Sequence, residues 1–435
     1  MKAVNTKPLE KLKIFSLSGV QMKTFHITWL TFFFCFFAWF GIAPLMPLVS
    51  EQLHLTKAQK GNIAIASVSA TIIARLVIGR LCDRFGPRKT YTVLLILCSL
   101  PVMLVGLSHS YTSFLLFRFC IGIIGASFVL TQFHTSVMFA PNIKGTANAV
   151  AGGWGNTGGG ATQIIMPLIA AAFVGLGWVS KENSWRVAMI VPGILLLVMA
   201  FLYFRYTKDT PEGNFDELNP IKGKKENTFF LAAKDYRTWI LTIAYAACFG
   251  VEITVDNYAA SFFHDNYKAT IIMAGLLASI FGWLNIFARA LGGFISDKTG
   301  KRFGFNGKVN LLIILLLLEG AGIIFFAKAG GVVMAIFMMF FFGLCLKMAN
   351  GATYSIVPFI NSKTVGSVAG IVGAGGNIGA MLIGFLFKSV SYLQAFLYLG
   401  LCVLGIGIIV LVFRLFAKPA QESVAVTTQA VLQRA

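Results

Sequence analysis

Acidic residues are scarce in this chain of 435 residues: 16 Asp and Glu stand against 36 Lys and Arg, and charged residues of both signs reach only 12%. A soluble domain carries about 25%. With 57% of the residues hydrophobic, there is more apolar surface than one aqueous core can hide. This excludes an ordinary cytosolic enzyme. Histidine is also sparse, and His26, His54, His109, His134 and His264 are scattered. No HExxH pair or P-loop supports metal or ATP chemistry. The seven cysteines form no CxxC or CxxH pattern, so neither a disulfide framework nor a zinc site is expected. No catalytic residue, metal or cofactor is expected. The +20 net charge is spread beside apolar runs and forms no basic domain, which argues against nucleic acid as a partner.

What is abundant is glycine and phenylalanine, 44 and 41 residues, in long apolar runs. A membrane span needs about 20 such residues. The sequence predicts twelve, at 26–49, 61–81, 90–108, 112–140, 146–175, 187–206, 238–263, 270–295, 308–328, 331–358, 365–388 and 391–416. The first run is too long and too aromatic for a removed signal peptide. The expected organisation is an N-terminal segment 1–25, a six-helix bundle 26–206, a polar linker 207–237, a second bundle 238–416 and a tail 417–435. If both termini are cytoplasmic, only Lys57, Lys60, Lys181, Arg186, Lys268, Lys328 and Lys388 fall outside. The positive-inside rule selects that orientation.

The halves repeat. Arg75, Gly79, Asp83 and Gly86 in the second span match Arg289, Gly293, Asp297 and Gly300 in the eighth. Gly155-Asn156-Thr157-Gly158 in the fifth matches Gly376-Asn377-Ile378-Gly379 in the eleventh, and GASF ending at Phe128 matches GATY ending at Tyr354. The fold class is therefore all-α integral membrane: two pseudo-symmetric six-helix bundles with a site between them.

The run from Gly79 to Lys89 resembles the signature loop of the major facilitator superfamily, and LLFRFCIGIIGAS around Arg118 resembles its fourth-helix motif. AGGWGNTGGGATQ and AGIVGAGGNIG are similar to the paired signatures of the nitrate/nitrite porter family. The likeness covers essentially all twelve spans.

The polar residues inside the spans carry the chemistry. Arg75 and Arg289 each lie about six residues, roughly 9 Å, inside the apolar slab. Either each snorkels to the interface, or the two converge on a cavity as an anion site. Repetition without an equally repeated acid favours convergence. Guanidinium offers planar paired donors suited to a planar oxyanion. Gly152, Asn156 and Gly160 share one helix stripe and Gly155 and Gly159 another, small-residue stripes that let helices approach closely; Gly158, Gly375, Gly376 and Gly379 belong to the same two signature helices. Asn156 and Asn377 reach past the bare glycine surface. A narrow site of this kind suits nitrate or nitrite better than a sugar or peptide.

The resemblance implies that Arg75, Arg289 and Asn156 hold substrate, with aromatic contacts from Phe128 and, through the Tyr-x3-Phe-Gly of the seventh span, Tyr245 and Phe249. In FFFCFFAWF, Trp39 and Phe40 are candidates, although lipid contact is the expectation for that run. Four titratable groups could carry a proton: Glu252, Asp256, Glu319 and His134. Against this, Glu319 could pair with Lys347, Glu252 and Asp256 could bond backbone around a broken helix toward the external end, and His134 is expected to hydrogen-bond in the core. Importing one anion into a negative interior costs about 2.3 kcal/mol per 100 mV, so uptake needs protons or exchange. VEITVDN looks more like the proton-coupled importers of the family, with nitrate/nitrite exchange as the alternative and a non-transporting sensor behind it. The resemblance also implies charge-pair gating in the loops of Asp83, Arg84, Asp297 and Lys298. A monomer in a bacterial inner membrane is expected.

Overall fold

A computed structural model describes residues 7–217, 228–360 and 365–416. The tail 417–435 and the middle of the linker lie outside the described residues. The architecture is all-α, and the isolated bridge Leu9–Phe139 is the one extended pairing among the described residues.

Helix starts are written locally. Thr56 accepts from Gln59 N and opens Lys57–Phe85, Ser110 opens Tyr111–Gly122, and Asp235 opens Tyr236–Tyr267. Pro87 and Pro141 occupy first-turn positions, where a missing N–H costs nothing. Among the described residues, eleven helical stretches are long and apolar enough to cross a bilayer. One of them, Ile271–Ala327, is two spans. Inside it Gly304 takes φ 64° and ψ −160°, a conformation open essentially to glycine alone. The chain reverses there, so that a Cβ on Gly307 would lie 2.4 Å from Thr299 O. Twelve spans result, the number read from the sequence.

Several helices outrun their predicted ends. The second span continues to Phe85, which sets Arg75 ten residues from its end and deeper than the sequence estimate. The fifth runs Pro141–Gly175.

The bundles meet along two seams, the second span on the eleventh and the fifth on the eighth. A Cβ on Gly282 would lie 2.2 Å from Gly160 Cα, one on Gly61 2.5 Å from Lys388 Cβ, and one on Gly275 2.0 Å from Gln163 O. These close approaches lie in the half of the molecule away from the termini. The FFFCFFAWF run does not face lipid as expected: Phe32, Phe36, Phe37, Trp39 and Phe40 are all at most 2% exposed. The first span packs against the fourth, fifth and sixth, and within the run Phe33 and Phe34 alone stay partly exposed.

Candidate functional site

The fourth span is interrupted. Between Tyr111–Gly122 and Ser127–Met138 the turn Ile123–Ala126 tightens to a 3-10 helix, which frees carbonyls from the α-helical ladder. Thr71 Oγ1 donates to Gly122 O at 2.6 Å, and Arg75 Nε and Nη2 each donate to Gly125 O at 3.4 Å. Across the seam, Arg75 Nη1 donates to Gly373 O at 2.9 Å. Arg75 is thus held by backbone carbonyls of both halves, and no carboxylate pairs with it among the described residues.

Aromatic rings wall this cation. Its guanidinium carbon lies 5.3 Å from the Phe128 ring centroid. Phe128 meets Tyr354 at 6.4 Å, Tyr354 meets Tyr245 edge-on at 5.1 Å, and Tyr245 stacks on Phe249 at 5.1 Å. Phe249 therefore backs Tyr245 from behind. Tyr354 lies within electrostatic reach of both Arg75 and Arg289. The sequence marks Tyr354 only as the repeat partner of Phe128, and that pairing is the signal that places it in the wall.

Two glycines complete the pattern. A Cβ on Gly152 would lie 3.8 Å from the Phe128 ring and 4.0 Å from Arg289 Nη1; one on Gly373 would lie 3.1 Å from Tyr354 Oη and 3.9 Å from Arg75 Nη1. Each signature helix thus offers a bare position to the arginine of the opposite half. Gly373, three residues before the glycine that pairs with Gly155, is the other position the sequence reading did not single out. The remaining signature glycines serve packing. Gly155 and Gly158 seat the first span at Phe32 and Phe33, while Gly375, Gly376 and Gly379 seat the seventh at Thr242, Phe249 and Ala246. Gly159 faces Asp256.

Arg289 differs from Arg75 in having an acid. Its Nη2 donates to Glu252 Oε2 at 2.9 Å, and Lys347 Nζ reaches Glu252 Oε1 at 2.7 Å. Asn350, Asn285 and Asn156 donate to the same carboxylate at 2.6, 3.0 and 3.3 Å. Glu252 is 0% exposed, and a buried carboxylate is tolerable only with such a shell. Two expectations are corrected here. Glu252 sits in an unbroken helix, Tyr236–Tyr267, at the centre of a five-donor hub and not at backbone near its end. Lys347 pairs with Glu252 and not with Glu319, whose two oxygens are buried without a partner. Asn156 turns its amide to the hub, and Asn377 donates to Gly373 O at 3.1 Å; both side-chain oxygens are left unpaired.

Asp256, one turn on from Glu252, is 4% exposed, and its Oδ2 has no partner. His134 hydrogen-bonds Tyr203 Oη and Lys208 O in the core. In the loops, Asp297 pairs with Lys308 across the Gly304 reversal at 2.5 Å, whereas the predicted neighbour Lys298 is exposed. Arg84 is exposed and stacks over Phe85. The side chain of Asp83 lies outside the described residues.

Two pseudo-symmetric bundles with paired cations at the seam define a secondary transporter, not an enzyme. The family model of the Major Facilitator Superfamily matches residues 28–382. The chain is 36% identical over 380 residues to "High affinity nitrate transporter 2.5" of Arabidopsis thaliana, covering 86% of this chain and 75% of that one. It is 27% identical to "Nitrate/nitrite transporter NrtP" of Nostoc punctiforme, covering 90% and 92%. A solved bacterial homolog of the human lysosomal transporter Spinster, in an inward-facing and unoccupied conformation, superposes with a TM-score of 0.68 at 18% identity, covering 90% and 95%. The chain belongs to the nitrate/nitrite porter family of the major facilitator superfamily.

Proposed function

We propose that the protein carries nitrate, and with it nitrite, across a bacterial inner membrane by alternating access, in the direction of uptake and together with protons. The observation that carries this reading is Arg75: a guanidinium held across the seam by carbonyls of both halves, with no carboxylate paired to it among the described residues. A small planar anion supplies the missing charge and accepts the paired donors. Arg289 approaches from the other half, with its charge shared by Glu252, and Phe128, Tyr354 and Tyr245 form the flat walls. All these groups come from one chain, so a monomer is sufficient. The names of the Arabidopsis and Nostoc relatives point to the same substrate.

Both termini are taken as cytoplasmic. The close approaches of the seam then lie on the external side, and the structure corresponds to a state shut outward. Glu252, Asp256 and Glu319 are the acids available for proton coupling. The deciding experiment is nitrate-dependent current in proteoliposomes under an imposed proton gradient. The expected result is an inward positive current that grows with the inward proton gradient. Electroneutral uptake that persists without a gradient and requires internal nitrite would replace this reading with exchange.

A further inference from the structure

A further cation has no paired carboxylate among the described residues. Arg118, on the fourth span, is 1% exposed. It donates from Nη1 to Trp39 O at 2.9 Å and from Nη2 to Ser67 Oγ at 3.0 Å and Asn257 Oδ1 at 3.4 Å. These bonds use three of the five guanidinium N–H groups. The Nε–H is buried without a partner, and no carboxylate pairs with Arg118 among the described residues. Tying the first, second and seventh spans together accounts for the three bonds. It does not account for the unused donors or for a cation left uncompensated.

Arg118 lines a small cleft with Lys60, Asn257, Tyr258, Ser261 and Tyr392, at the end of the molecule away from the termini. The Tyr258 hydroxyl there is likewise buried without a partner. Lys60 is bound only loosely, to Asp265 at 3.7 Å. The cleft therefore joins two cations and two unfilled donors. These gather beside the closed seam and are separate from the Arg75 and Arg289 walls.

We propose that this cleft is a second anion station, taking one small monovalent oxyanion such as nitrate or nitrite at the mouth of the transport path while the central site is shut from that side. The station collects the anion before the seam opens, and the Tyr258 hydroxyl and Arg118 supply its hydrogen bonds. The proposal rests on the anion-transport reading but uses different residues from it.

The test is equilibrium binding of nitrate to the purified full-length protein. The wild type is expected to show two classes of site, the second at least tenfold weaker. Arg75→Lys removes the tighter class. Lys60→Gln with Tyr258→Phe removes the weaker class and leaves the tighter one unchanged; both are conservative changes that spare the three Arg118 bonds. A single class of site in the wild type, or a weaker class that survives the double substitution, overturns the proposal. If the tighter class survives Arg75→Lys while the double variant still loses the weaker one, the central reading fails and this one is supported.

Discussion

At the scale of single residues, the two arginines repeat in sequence but not in chemistry. Arg75 is held by carbonyls and Arg289 by a carboxylate. Lysine at either position keeps the charge but loses the fork of paired donors. A displacement of about 1 Å in a positioned group costs on the order of 100-fold in rate. Arg75→Lys and Arg289→Lys are each expected to lower initial nitrate uptake by about that factor, at unchanged protein abundance in the membrane. Normal uptake by either variant would remove the guanidinium clamp. The hub makes a separate prediction. Glu252→Gln leaves Arg289 and Lys347 buried together without an anion, and breaking a buried pair costs about 3–5 kcal/mol. The variant should melt well below the wild type in detergent. Adding Lys347→Met should recover part of that loss, because the two sites share one interaction. If the two losses simply add, Lys347 is not a partner of Glu252.

At the scale of helices, glycine sets how near the bundles come. A methyl group on Gly282 would press on Gly160 Cα at 2.2 Å, and overpacking of this kind costs about 1–3 kcal/mol. The cost falls only on the state in which the seam is closed, so Gly282→Ala should populate the state open at that end. The check is the labelling rate of a cysteine placed at Ser261, in the cleft beside the seam. The rate should rise in the Gly282→Ala background, and an unchanged rate would show that the seam tolerates the methyl. These helices also show how far a sequence can be read. The span count, the repeat and both arginines were visible because apolar length and recurring motifs are local properties. Which acid Lys347 chooses was not visible, since Glu252 and Glu319 lie on different helices and only tertiary packing decides between them. The aromatic first span misled for a related reason. Composition suits lipid and protein interior equally, and only enclosure by neighbouring spans makes Phe36 and Phe40 core residues. The 3-10 turn at Ile123–Ala126, which presents Gly125 O to Arg75, has no sequence mark stronger than its glycines.

At the scale of the whole molecule, the charges along the seam tie anion binding to proton binding. Arg75, Arg289 and Lys347 bring three positive charges, and Glu252 and Asp256 bring two negative ones when ionised. Glu252 is spoken for by its five donors. Asp256 is not, and the charged groups within its electrostatic reach are Lys347, Glu252 and Arg289. With the site empty and Asp256 ionised, the centre carries one net positive charge, and a monovalent anion brings it to zero. Adding a proton to Asp256 works against the empty centre but is eased once the anion is bound. At an effective dielectric of about 20, a pair of charges about 8–15 Å apart interacts by roughly 1–2 kcal/mol, so each ligand should tighten the other by about tenfold. Linkage makes this reciprocal. Nitrate added to the purified protein in weak buffer is therefore expected to draw protons out of solution, and its affinity should strengthen as pH is lowered. Asp256→Asn should abolish both effects while leaving nitrate binding itself in place. Release of protons on nitrate addition would place the coupling acid elsewhere, with Glu319, buried and unpartnered on the ninth span, the next group to test.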